Sequence, residues 1–101
     1  MGNQTEIDTE TQRKITAILK ALFPHARIIL FGSHAVGKQQ RSSDIDIAID
    51  AGQKLERSTI GEANDMLSAS NMPYHFDIID LQSINEEMRK SILKDGIVWN
   101  E

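Results

Sequence analysis

The chain has 101 residues, of which 40% are hydrophobic and 26% charged, with a net charge of −4 and no cysteine. That length supports one domain of radius about 13 Å with one modest core; the absence of cysteine excludes disulfides, compatible with a reducing cytoplasm. No apolar run reaches the roughly 18 residues of a membrane span, no secretory leader is visible in Met1-Gly2-Asn3-Gln4-Thr5-Glu6, and the acidic balance argues against direct, sequence-independent binding of nucleic acid, which needs several Lys or Arg contacts to phosphate.

Residues 1–7 read as a loose N-terminal piece. Thr9 followed three residues later by Gln12 matches a capping box, and Ile15, Ile18, Leu19 and Leu22 form an apolar stripe before Pro24, so a first helix is predicted. His25 follows the helix-ending proline and reads as a surface residue. The run Arg27-Ile28-Ile29-Leu30-Phe31 reads as a buried strand. Gly32-Ser33 comes next, a turn that can turn backbone N–H groups and a hydroxyl toward phosphate oxygens; a short helix beginning at 33–37 would add its N-terminal dipole. Residues 38–42 form a spacer loop carrying Lys38 and Arg41.

From Ser43 to Asp50 polar and apolar residues alternate with period two, as in a half-buried strand. Asp44 and Asp46 then share one face and Ile45, Ile47 and Ile49 the other. A turn at 50–54 leads into a helix over about 55–70 with Leu55, Ile60, Ala63 and Leu67 inward, weakened at Gly61. Asn71-Met72-Pro73 breaks it and launches a third strand over 74–81. Ser83 with Glu86 suggests a second capping box, Ile84, Met88 and Ile92 face one way, and Gly96 ends that helix before a short strand at 97–99. Tyr74, Phe76 and the methionines read as core or surface filler, and Trp99 as a cover for the core edge or part of a partner patch. Helices alternating with strands predict an α/β (α+β) unit of two or three layers.

Two carboxylates on one strand face repel each other unless a cation is present, and oxygen ligands of this kind suit Mg²⁺ or Mn²⁺. Asp-x-Asp alone also fits a plain surface strand. Gly-Ser placed ten residues ahead of it is more specific, arising by chance in on the order of one in a thousand chains this long. A Ca²⁺ loop is poorly supported, because Asp44–Asp50 lacks the glycine and distal Glu of an EF-hand.

With Gly32-Ser33 and Asp44-Ile45-Asp46 in this spacing, the chain resembles the minimal nucleotidyltransferases, the smallest members of the DNA polymerase β-like superfamily. The resemblance spans nearly the whole chain and implies the two-layer architecture, a small mixed sheet with helices on one face and the active site on the other. It implies a third carboxylate on a later strand. Strand parity selects Asp77, which lies opposite Phe76 and Ile78, over Asp80, which shares their face and reads as a residue at the strand end, solvated or near the next helix. By the resemblance, Asp44, Asp46 and Asp77 hold two Mg²⁺ ions and carry catalysis, with Asp77 also the general base. Gly32, Ser33, Lys38, Arg41 and Ser43 are the candidates for binding the ATP or other NTP. Many relatives carry Arg where this chain has His34 and Val36, which removes two phosphate-binding cations; His34 can donate when protonated. His75 shares the face of Asp77 and can line the acceptor pocket or serve a structural role.

The resemblance implies transfer of a nucleoside monophosphate, AMP foremost, to a hydroxyl. It also implies pairing, as the antitoxin, with a small all-helical HEPN RNase toxin that the protein AMPylates or binds; assembly as a homo- or hetero-oligomer stays open. The competing reading is a degenerate binding module that neutralises its helical partner without catalysis.

Overall fold

The computed structural model describes residues 7–32, 35 and 44–100. Its elements follow the order α1 (Thr9–Leu22), β1 (Arg27–Phe31), β2 (Ile45–Asp50), α2 (Arg57–Ser68), β3 (Phe76–Asp80), a 3₁₀ turn (Leu81–Ser83), α3 (Glu86–Asp95) and β4 (Ile97–Val98). The strands form one mixed sheet in the order β3-β2-β1-β4. β2 and β4 flank β1 antiparallel, and β3 lies parallel to β2. β1 is apolar on both sides because both faces of this inner strand are covered.

Ile28, Leu30, Ile45, Ile47, Ile49 and Ile78 turn to one side and pack with Ile15 and Leu19 of α1 and Ala63 and Leu67 of α2. Ile7, expected in a loose N-terminal piece, is buried in the same cluster. Ile29, Ala48, Leu81 and Ile92 form a smaller cluster on the other side. The two-layer arrangement with helices on one face therefore describes α1 and α2, while α3 lies across part of the opposite face. The physical reason is that the chain leaves β3 through Leu81, which sits in the second cluster and delivers α3 there. Gly96 lets α3 turn into β4 at close quarters, since a methyl at that position would meet Ile29 Cγ2 and the Ile92 carbonyl oxygen at 2.5 Å.

The helix caps lie one or two residues from the expected ones. Asp8, not Thr9, caps α1, its Oδ1 accepting from the Thr11 N–H at 2.7 Å. Asn85, not Ser83, caps α3 by accepting from the Met88 N–H at 2.8 Å. Ser83 instead donates its hydroxyl to Asp80 Oδ2 at 2.6 Å. Each segment holds adjacent cap-competent residues, and the path of the entering chain decides which one is used.

Asp50 joins three elements. It accepts from Arg27 Nη2 at 2.6 Å and from Gln82 Nε2 at 2.9 Å, and Gln82 in turn accepts from Arg89 Nη1 of α3. Burial alone would raise the Asp50 carboxyl, but the hydrogen bonds from Arg27, Gln82 and the Gly52 N–H, with the charge of Arg27, hold it below the usual carboxylate value. At the sheet edge, Asn64 of α2 accepts from the Ile78 N–H at 3.1 Å and donates to the Ile78 carbonyl at 3.3 Å. Trp99 is half-buried against the main cluster and, with Thr9, Gln12, Arg13, Thr16 and Ala17, lines a shallow cleft on α1. No helix among the described residues is long and apolar enough to cross a membrane.

Candidate active site

β1 ends where β2 and β3 begin, because β2 runs antiparallel to β1 and parallel to β3. The register places Phe31 opposite Asp46 and Asp46 opposite Asp77. Directly paired residues on neighbouring strands share a face, about 4.8 Å apart. Asp77, Asp46 and Phe31 thus form one row across the face opposite α1 and α2. Asp44 lies two residues before Asp46 on the same parity, just ahead of β2, and is exposed, as is Asp77, whereas Asp46 is half-buried.

Gly32 closes the row at the end of β1. Its φ of +79° is a conformation that side-chain-bearing residues rarely adopt. A methyl there would also collide with Asp46 Oδ2. Only glycine lets the turn pass this close to the carboxylate, and the Ala35 N–H donates back to the Gly32 carbonyl at 3.1 Å. The expected phosphate-side residues Ser33, Lys38, Arg41 and Ser43, with His34 and Val36, lie outside the described residues.

Asp80 behaves differently from Asp77, as parity required, but it is buried rather than solvated. Its carboxylate accepts from the N–H groups of Leu55 at 2.8 Å and Gln82 at 3.1 Å as well as from Ser83. It fastens the loop before α2 and the 3₁₀ turn to the strand end, facing away from the acidic row. His75 is exposed at the start of β3, where its carbonyl accepts from the Ile45 N–H at 2.8 Å. His25 is exposed far from the row.

Hard oxygen donors on two adjacent strands fit a divalent cation such as Mg²⁺ by the chemistry of the donor set. Among the described residues, no three acidic or histidine side chains already converge into a complete ligand cage. The two ion pairs among those residues, Arg27 with Asp50 and Lys90 with Glu86, stand away from the row. Phe31 is the member that sequence reasoning missed as part of the site. It was legible only as a strand residue, because the signal was its cross-strand pairing with Asp46, which no local pattern reveals.

A glycine turn held against a paired carboxylate, on a mixed sheet backed by two helices, is an arrangement with known counterparts. Residues 13–100 match the family described as Polymerase beta, Nucleotidyltransferase. The chain belongs to this nucleotidyltransferase family. It is 30% identical over 98 residues to a probable protein adenylyltransferase MntA of Haemophilus influenzae, covering 97% of this chain and 86% of the relative. Among solved structures it is similar to a toxin-antitoxin with AMP-PNP (TM-score 0.76, 32% identity, 87% of this chain and 71% of the other). It is also similar to an MNT antitoxin in complex with a tri-AMPylated HEPN toxin of Shewanella oneidensis (TM-score 0.68, 28% identity, 87% and 67% of the two chains). The resemblance read from Gly32-Ser33 and Asp44-Ile45-Asp46 is thereby borne out, as is the fold class.

Proposed function

We propose that the protein transfers AMP from ATP to a hydroxyl of a small helical toxin of the HEPN type and thereby acts as its antitoxin. The observation that carries this reading is the pairing of Asp46 with Asp77 beside the Gly32 turn. The relatives support the rest, since they comprise a named protein adenylyltransferase and complexes with an ATP analogue or an AMPylated HEPN toxin. The setting we infer is the cytoplasm, where ATP is abundant.

In the reaction the acceptor oxygen forms a bond to the α-phosphorus as the bond from that phosphorus to the bridging oxygen of pyrophosphate breaks. Asp77, exposed at the open edge of the sheet, takes the proton of the attacking hydroxyl. Gly32 admits the triphosphate to the strand end, and Ser33, Lys38, Arg41 and Ser43 bind its phosphates. Asp44, Asp46 and Asp77 would hold Mg²⁺, or Mn²⁺ in its place, which when bound neutralises charge on the attacking and leaving oxygens. His34 and Val36, replacing the arginines of many relatives, leave more of the phosphate binding to the spacer cations.

The test is intact-mass spectrometry of the protein with its co-purified partner after incubation with ATP and Mg²⁺, beside an Asp44→Asn/Asp46→Asn control. Gain of one or more AMP units on the partner, absent in the control, is the expected result. An unchanged mass in a stable complex would instead establish a binding module without catalysis.

A further inference from the structure

Past Asp77 the border of the sheet opens into an apolar cleft of about 270 Å³, set between β3, the start of α2 and the turn that leads to α3. We propose that this cleft docks the acceptor protein, taking an aliphatic side chain of the helix that carries the modified hydroxyl, while Arg57 at the rim pairs with a carboxylate of that helix. The inference rests on the transfer reaction proposed above and adds the surface by which the protein partner is selected.

Position assigns the cleft to the acceptor. Attack and departure are in line, so the acceptor approaches from the side of its base, Asp77, and away from the Gly32 turn that admits the triphosphate. That side is β3, the border strand beside β2. Ile79 lies two residues past Asp77 on the same face, about 7 Å along the strand, and lines the cleft with Leu55, Ile60 and Ile84. All four are only half-buried, so the cleft keeps apolar surface that a docked side chain would cover.

Backbone chemistry decides the form of the occupant. The outward N–H and carbonyl of Ile78 are taken by Asn64, so a strand added along β3 would find no continuous ladder. A helix satisfies its own backbone and offers only side chains. Residues four apart on a helix share a face with a rise of about 6 Å, which matches the separation of Asp77 from Ile79. A helix that presents its hydroxyl to Asp77 therefore sets the side chain four residues away over the cleft.

Charge adds the selectivity. Arg57 opens α2 and is exposed. The first turn of α2 holds no acidic residue and Glu56 makes no side-chain cap, so the guanidinium and the first N–H groups add positive potential at the same rim. Arg57 forms neither of the two ion pairs among the described residues. On a chain of net charge −4 this local positive spot favours a carboxylate on the partner.

Steady-state transfer from ATP to the separately purified partner, with Mg²⁺ present, tests this. Arg57→Glu places an acid where the helix dipole favours one and so folds at least as well. It is expected to raise the KM for the partner about tenfold, the value of one hydrogen bond to a charged group, with kcat and the KM for ATP unchanged. Ile84→Ala should raise the same KM and keep kcat. Lysine in place of the partner's acidic residue nearest the AMPylated hydroxyl should restore the KM of Arg57→Glu. An unchanged partner KM in Arg57→Glu would overturn the docking surface while leaving the transfer reaction standing; if that variant instead altered self-association of the protein alone, the cleft would belong to a second copy. Absence of transfer by the wild type would overturn both.

Discussion

Asp46 and Asp77 are register partners on neighbouring parallel strands and turn to the same face of the sheet. Two carboxylates held on neighbouring strands cannot drift apart as loop residues can, and the base role proposed for Asp77 is separable from folding. Asp77→Asn should lower the transfer rate by about 10²–10⁴ and leave the midpoint of urea unfolding nearly unchanged, because the side chain is exposed. Rate and denaturation measured on the same preparation check both halves.

Asp80, three residues on, should show the reverse. Its buried carboxylate satisfies Leu55, Gln82 and Ser83, so Asp80→Ala strands buried donors at a cost of about 1–3 kcal/mol each before relaxation. We expect a clear fall in urea midpoint, with the rate per folded molecule retained at temperatures where the variant is native.

Two glycines should answer oppositely to alanine. At Gly32 the positive φ and the collision with Asp46 oppose any side chain, so Gly32→Ala should cost about 1–2 kcal/mol and depress transfer by displacing the carboxylate. At Gly61, an exposed position within α2, an added methyl meets nothing within 4 Å. Gly61→Ala should stabilise by about 0.5–1 kcal/mol. Thermal unfolding of the two variants gives both signs.

Asp50 supplies a pH dependence. Its carboxyl is depressed in the folded chain by Arg27 and Gln82 acting against burial. A depressed folded value means that the contribution is present above the unfolded carboxylate value, about 3.9, and is lost as pH falls through the lower folded one. Wild type should exceed Asp50→Asn in stability at pH 7, and the gap should close below about pH 4, as urea titrations at the two pH values would reveal.

The acidic row was legible because period-two alternation in 43–50 and strand parity in 74–81 assign a face to every residue, and parity alone separated Asp77 from Asp80. That Phe31 completes the row depends on which strands pair and in what register, a long-range property that the Arg27–Phe31 run does not encode locally. The caps fall at Asp8 and Asn85 rather than at Thr9 and Ser83, similar neighbours that could have served. The burial of Asp80 needed the Leu55 N–H, 25 residues distant, and so no local pattern announced it. The placement of α3 across the second face likewise turned on Leu81, an apolar residue just past the strand, read there only as strand.

The amide of Asn64 occupies both outward backbone groups of Ile78 on β3, and the opposite border, β4, is two residues long. Neither border can template another strand over any useful length. Growth of the sheet from chain to chain is discouraged at both ends. An extended peptide seeking main-chain pairing along β3 finds the backbone groups of Ile78 already taken.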